Sequence, residues 1–558
     1  MGGMNKSTRT AFGVLTLIVT ACAPQATDDA ASTNAQARDL PDNPNFVVVV
    51  VDDLRFDEFG AAGHPYLETP NIDRLAAEGA MFMNSFHAVP LCSPNRASLL
   101  TGQYPSQHGI VDNVARVRTS FALQTFPQAL QTVGYETAFL GKWHMGNDPT
   151  PRDGWDYWVG QPGQGRSIDP ELYEDGRVHL VQGYTTDILN DRAIDFIRQE
   201  RDGPFMIYMA HKAIHPDVQQ LDDGSVPPGA PMGYVAAPRH QGRYANEVFP
   251  RRPNTIETLA DLDDKPAIQG ALAWRATGSR QADFASIPSP EIGETAIRDR
   301  AEMMLAVDEG VGRVLDVLEE EGILDNTVVI LTSENGFFYD EHGLTTERRL
   351  PYEEGIRNPF IVRYPAAASA GSTPEALSST IDLAPTILDL AGAPIGDHVQ
   401  GRSLVPVMLG DTEGWRESIF VEFYTYENPF PHLMDMDYRA IRTDRYKYIH
   451  WVRHPDLDEL YDLEADPYEV ENRVDDPTLA GVRAELRADL GEHVLSALGL
   501  GNQRRPPSTG SKRKRPAGRM ARGAFCVRCR VSSPELPSPG ACANGTEGRT
   551  RSMTHRPG

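Results

Sequence analysis

Cys92 is the only cysteine between Cys22 and a tail that begins near Gly501, and it opens the run Cys92-Ser93-Pro94-Asn95-Arg96-Ala97-Ser98-Leu99-Leu100-Thr101-Gly102. A lone thiol in an exported chain has no disulfide partner in its own domain, which excludes a structural staple and sets a chemical role against an inert buried thiol. Elsewhere, Asp52-Asp53 and Glu334-Asn335 each close an apolar β-branched run. Such paired oxygens are either ligands for a hard divalent cation or solvated turn residues. Gly141-Lys142-Trp143-His144-Met145-Gly146 supplies a cation and an imidazole, and His211-Lys212-Ala213-Ile214-His215-Pro216 supplies two more imidazoles. Glu341-His342 through Arg348-Arg349 to Tyr352-Glu353-Glu354 adds guanidinium groups and acids. Metal binding, anion binding and proton transfer are the chemistry that these types can perform.

Something must hold these groups in place. Asn45–Val51 is a continuous apolar run, which predicts a fully buried central strand delivering Asp52 and Asp53 at its carboxyl end, where open α/β sheets place ligands. Thr69-Pro70 starts a helix that runs to Gly79. Further strands are expected over Thr137–Leu140, Phe205–Met209, Thr327–Leu331 and Phe360–Arg363, with a helix over Ile297–Glu320. Strands alternating with helices imply an α/β fold whose large, mostly parallel sheet is sandwiched by helices. Beyond Gly392 the pattern shortens. Ser418–Tyr424, Tyr438–Arg442 and Tyr446–Trp451 read as antiparallel strands, and Leu479–Leu498 as a closing helix, so a smaller C-terminal antiparallel-sheet subdomain is expected.

The Cys-x-Pro-x-Arg pattern from Cys92 to Arg96, with Thr101-Gly102 in register, resembles the signature of the type I sulfatases, members of the alkaline-phosphatase-like superfamily. The resemblance covers about Asn45 to Leu498. It implies that Cys92 is oxidised by a formylglycine-generating enzyme to Cα-formylglycine, whose hydrate attacks sulfur through one hydroxyl and expels sulfate with the other. It further implies one calcium ion per chain, held by Asp52, Asp53, Glu334 and Asn335 together with the residue at 92. Arg96 would anchor the formylglycine, Lys142 would hold the diol oxygen and the sulfate, and His144 would take the diol's proton. His215 would contact the sulfate and protonate the leaving oxygen, with His211 as the competing choice. Two positions depart from the family pattern. Glu334 replaces the usual Asp, and Arg348 stands where a Lys grips the sulfate, with Arg349 as its fallback. His342 would border the substrate entrance or be structural. The substrate implied is a small sulfated molecule, a sugar above all. The segment Pro238–Tyr244 resembles those of sulfatases acting on amino sugars or uronates, and specificity is expected in loops such as Val218–Arg280.

The ends add a location. Lys6, Arg9 and the apolar stretch Ala11–Ala21 read as an export signal, and Val19-Thr20-Ala21-Cys22 resembles a bacterial lipobox, so Cys22 is a candidate lipid anchor. The expected organisation is a signal peptide over 1–22, a flexible tether over 23–44, a catalytic domain over 45–392, the C-terminal subdomain over 393–500 and a disordered basic tail over 501–558. This is the layout of a periplasmic or outer-membrane-anchored bacterial lipoprotein. The tail holds thirteen Lys and Arg against Glu535 and Glu547, which leaves the body more acidic than the overall charge of −25. Such a body repels polyanions, which argues against nucleic-acid binding and against wrapping a long sulfated polymer, while one anionic end group in a pocket is still compatible. Cys526 and Cys529 lack a second pair at zinc spacing. Two rivals stand beside the sulfatase reading: a phosphonate or phosphate ester hydrolase of the same superfamily, and a non-catalytic lipoprotein that binds sulfated glycans.

Overall fold

The computed structural model describes residues 40–41, 43–174, 176–227, 232–277, 294–344, 347–425 and 433–500. The export segment with Cys22, most of the tether, and the basic tail with Cys526 and Cys529 lie outside the described residues.

Nine strands form one sheet: β1 (Asn45–Val51), β2 (Ala80–Met81), β3 (Glu136–Lys142), β4 (Tyr157–Gln161), β5 (Glu171–Glu174), β6 (Arg177–Leu180), β7 (Phe205–His211), β8 (Thr327–Ser333) and β9 (Phe360–Arg363). Their spatial order is β2-β9-β8-β1-β7-β3-β4-β5-β6. The central strands β8, β1, β7, β3 and β4 are parallel, and antiparallel pairs finish both edges. The apolar runs therefore mark the buried centre as expected. The edge strands β5 and β6 escaped the sequence reading because a hairpin at the rim needs no continuous apolar run; every residue of β6 is exposed.

Alternate valines of β1 enter two separate cores. Val47, Val49 and Val51 pack with Leu75 of α1 (Pro70–Glu78), Leu189 of α3 (Thr185–Ile197) and Val307 of α4 (Glu294–Glu320). Val48 and Val50 share the opposite core with Leu99 and Leu100 of α2 (Cys92–Thr101). Burial of each such valine contributes roughly 1.5–3 kcal/mol, so β1 is pinned from both faces. A second sheet, β10 (Ser418–Phe423), β11 (Tyr438–Thr443), β12 (Tyr446–Trp451) and β13 (Glu459–Asp462), is antiparallel throughout, as expected of the C-terminal part. Tyr438, Trp451 and Tyr461 pack with Phe338, Leu350 and Tyr352 from the loop after β8. The chain closes on α5 (Ala480–Ala497).

Gly141 in β3 has φ +119, and a Cβ there would fall 2.0 Å from the Ala210 carbonyl oxygen of β7. Both the conformation and the space demand glycine. Gly141→Ala is expected to destabilise the fold by about 3 kcal/mol, measured by urea unfolding, because neighbouring backbone cannot move aside as a side chain can.

Candidate active site

The strand register brings the chemical clusters to one edge. Val51 pairs with Ser333 on one side and His211 on the other, and Gly141 pairs with Ala210, so β1, β8, β7 and β3 end side by side. Asp52-Asp53, Glu334-Asn335, Lys212–His215 and Lys142–His144 follow directly from those ends. The Asp52 backbone is fixed by its N–H to the Ala213 carbonyl (2.8 Å) and by Ile214 N–H to its own carbonyl (2.9 Å). Asp53 and His144 both have φ +62, a left-handed conformation uncommon outside glycine and found at sites where side chains are aimed deliberately. Beneath them, Arg300 donates to the Asp53 carbonyl oxygen (2.8 Å) and to Glu58 (2.7 Å).

Cys92 begins α2, all ten residues of which are buried. Arg96, on the same helix, donates to the Lys142 carbonyl oxygen (2.8 Å) and reaches Asp52 Oδ2 (3.3 Å) and Glu334 Oε1 (3.5 Å) with Nη2. Lys142 Nζ pairs with Asp52 Oδ2. Arg348 Nε lies 3.3 Å from Asp53 Oδ1, and its Nη2 donates to His215 Nε2 (3.2 Å). His215 then carries its proton on Nδ1, toward the Pro216 carbonyl oxygen (2.8 Å), and is neutral. His144 Nε2 meets Gln220 Oε1 (2.8 Å), while Ser93 Oγ lies 3.3 Å from His144 Nδ1 and donates to the His144 carbonyl oxygen (2.6 Å).

The charge states follow from this packing. Burial pushes the Asp52 carboxyl up, but Lys142, the hydrogen bond with Glu334 and Arg96 outweigh it and hold the group well below the usual carboxylate range. Burial and the neighbouring Asp52 charge drive Glu334 well above that range. Burial, reinforced by Lys142, depresses both His144 and His215 well below the ordinary imidazole value. Burial also raises the Cys92 thiol far above its ordinary value, so the unmodified side chain is a protonated, poor nucleophile.

A hard cation fits the oxygen set. Asp52 Oδ1, Asp53 Oδ2, both Glu334 carboxylate oxygens and Asn335 Oδ1 are buried and accept no hydrogen bond. Buried acceptors without donors are costly, and calcium coordinates this kind of carboxylate and amide oxygen. One ligand atom each from Asp52, Asp53, Cys92 and His215 lies within 4.8 Å of the others. Glu334 stands outside that tight group, against Asp52 and Arg96, and Asn335 Nδ2 donates to Asp53 Oδ1 (2.6 Å).

Three residues weighed in the sequence point elsewhere. His211 is buried, with Asp187 of α3 the charge that acts on it, and Arg349 is paired with Glu347 (3.0 Å). His342 stacks on Tyr352 (4.1 Å) and is 1% exposed, which makes it an interior residue rather than one at an entrance. The segment Pro238–Tyr244 turns Arg239 toward Asp187 (2.7 Å) and Glu309 (2.6 Å). Conversely, Asn95 went unnoticed. Its Nδ2 donates to the Glu334 carbonyl oxygen (2.6 Å) and its Oδ1 accepts from Thr380 (2.7 Å), tying the Cys92 helix to the acidic loop. A poor helix former inside a helix was the available signal. Gln220 gave none.

The chain matches two family models: Sulfatase over residues 44–393, and N-sulphoglucosamine sulphohydrolase, C-terminal, over residues 340–495. It is 34% identical over 482 residues to an N-acetylglucosamine-6-O-sulfatase of Bacteroides thetaiotaomicron, covering 77% of this chain and 82% of that one. A solved structure of a protein in complex with its substrate D-glucosamine-2-N,6-O-disulfate superposes with a TM-score of 0.69 at 31% identity, over 82% of this chain and 99% of the other. The phosphonate monoester hydrolase of Silicibacter pomeroyi shares the fold, with a TM-score of 0.65 at 22% identity over 83% and 97% of the two chains.

Proposed function

The chain belongs to the sulfatase family and is a sulfuric ester hydrolase acting on carbohydrate sulfates, and from that premise we propose that it works through a formylglycine derived from Cys92, beside a calcium ion held by Asp52, Asp53, Glu334 and Asn335. The observation that carries this reading is the pair of donorless buried oxygens of Asp52 and Asp53 beside the Cys92 thiol, with Glu334 against Asp52 and Asn335 against Asp53 behind them. The substrate we propose is a glucosamine-type sugar sulfated at O6, the linkage named for the 34%-identical relative. Export, with lipidation at Cys22, is part of the same proposal and rests on Lys6, Arg9 and the apolar stretch to Ala21.

Formylglycine would supply an oxygen nucleophile that can be regenerated, and calcium would polarise the sulfate oxygens as a Lewis acid. The chain's own groups do the rest. Lys142 and Arg348 bring positive charge to an ester whose oxygens repel any nucleophile. His215, whose Nε2 faces Arg348 and Asp53 while Nδ1 is held by the Pro216 carbonyl oxygen, is placed to contact the sulfate and, once Nε2 has taken up a proton, to pass it to the leaving alkoxide. His144, held between Ser93 and Gln220, is placed to accept one when sulfate is expelled. Arg96 offsets the Asp52 charge, lies beside Glu334 and fixes the Lys142 backbone. Asn95 fixes the Glu334 backbone through its carbonyl oxygen, and calcium's tolerance of irregular ligand positions would absorb the extra methylene.

The test compares sulfate release from N-acetylglucosamine 6-O-sulfate with hydrolysis of a phosphonate monoester, using protein co-produced with a formylglycine-generating enzyme. Sulfate release with a kcat/KM at least about a hundredfold above that for the phosphonate ester is expected; the reverse preference would establish the rival hydrolase. Binding of the sulfated sugar with no turnover of either ester would establish the glycan-binding lipoprotein instead. Arg348→Lys in the same assay is expected to lower kcat/KM about tenfold, because a point charge replaces a fork that contacts Asp53 and His215 at once.

A further inference from the structure

A cavity of about 860 Å³ opens where the site ends. Its walls are continuations of the catalytic segments. Asn147 follows the Lys142–His144 loop, Gln220 follows His215, and Gln164 and Arg166 follow β4. A hydrogen bond joins cavity to site: Gln220 Oε1 meets His144 Nε2 (2.8 Å) and also accepts from Gln164 Nε2 (2.8 Å). Gln164 is 5% exposed, and its Oε1 is buried without a donor. A buried acceptor left without a donor on a cavity wall is incomplete until something fills the space.

The lining indicates what that is. Tyr173 offers a largely buried ring, its hydroxyl tied to the Asn147 carbonyl oxygen (3.0 Å). Asn147 and Gln220 line it with amides already bonded to Gly163 (2.8 Å) and Gly224 (2.9 Å), Gln164 adds an amide whose Oε1 has no donor, and Arg166 and Glu171, one cation and one anion, stand exposed among the lining residues. The Asp217 carboxylate in the same wall is already met by Lys212 (2.8 Å) and Ser167 (2.7 Å). A lining of amides, a ring and balanced charge carries no field that would select a second anionic group. It pairs with hydroxyls, and its volume exceeds what a sulfate group needs.

We propose that this cavity seats the uncharged sugar portion of the substrate beyond the sulfate, with the Gln164 amide turning toward the cavity so that Oε1 accepts a ring hydroxyl, and Arg166 and Glu171 flanking the ring. This deepens the sulfatase reading and rests on it. Specificity is thereby assigned to Gln164, and Gln220 becomes a positioning residue that links sugar occupancy to the His144 ring.

The test measures kcat/KM on a 6-O-sulfated N-acetylglucosamine disaccharide and on a flat aryl sulfate, for the parent and for Gln164→Leu and Arg166→Ala. Arg166 is exposed, so its truncation does not threaten the fold. The ratio of sugar to aryl efficiency is expected to fall about tenfold or more in Gln164→Leu, through KM, and severalfold in Arg166→Ala. In parallel, the unsulfated disaccharide should inhibit aryl sulfate turnover competitively in the parent and about tenfold less well in Gln164→Leu. An unchanged ratio in both variants, with the parent active on both substrates, overturns the cavity assignment and leaves the sulfatase reading intact. A higher efficiency on a disaccharide whose second ring is a uronate than on the neutral one overturns the assignment of an uncharged ring. A parent inactive on both esters overturns the sulfatase reading itself, and this inference with it.

Discussion

Cys92→Ala is expected to lower the rate of sulfate release by about 10⁴-fold or more, in keeping with the removal of a nucleophile from a site that otherwise keeps its binding groups. The loss should fall on kcat, since Lys142, Arg348 and the cation ligands proposed to hold the sulfate stay in place. It should not be a folding defect. The side chain is fully buried, but its removal leaves a small gap at the start of α2, while Leu99 and Leu100 keep that helix packed. A melting temperature within a few degrees of the parent is therefore expected, and calorimetry beside a stopped sulfate assay separates the two effects. Protein made without a formylglycine-generating enzyme should behave like the alanine variant. Its thiol is driven to the protonated form by burial, so it offers no substitute nucleophile. Mass spectrometry of the peptide carrying position 92 checks the link. Full sulfate release from protein whose Cys92 is wholly unoxidised would end the proposal.

Chelation of divalent cations is the second large effect. Asp52, Asp53, Glu334 and Asn335 place at least five oxygens in the interior without donors, and Glu334 cannot ionise comfortably beside Asp52. Removing a cation from that cluster should abolish at least about 99% of activity, because the sulfate loses its Lewis acid and the ligand side chains repel one another. Stability should change in the same direction. A ligand present at a hundred times its dissociation constant adds about 2.7 kcal/mol to the folded state, so a chelated sample should melt several degrees lower and recover on adding calcium. Asp53→Asn should reproduce much of the activity loss and become insensitive to chelator. An enzyme that keeps its rate and melting temperature after exhaustive chelation, verified by elemental analysis, would remove calcium from the mechanism.

Much of this was legible in the chain. The apolar runs at Asn45–Val51, Phe205–Met209 and Thr327–Leu331 announced the buried parallel centre, since a strand covered on both faces cannot alternate. The order of chemical clusters after those runs announced which sheet edge carries the site, because a parallel sheet delivers every carboxyl end to the same side. What remained hidden depends on contacts distant in sequence. Asn95 meets the Glu334 carbonyl oxygen, Arg348 meets His215, and Gln220 meets His144, each across a separation that no local pattern encodes. Edge strands β5 and β6 are defined by pairing rather than by burial. Residue type and spacing determined which chemistry was possible and where along the chain it lay. The resemblance favoured His215 over His211 and Arg348 over Arg349; tertiary packing determined their neighbours, with Asp53 beside His215 and Arg348 but Asp187 near His211 and Glu347 beside Arg349, because neighbouring residues on a turning backbone point to different surroundings, and those surroundings are built by other parts of the chain.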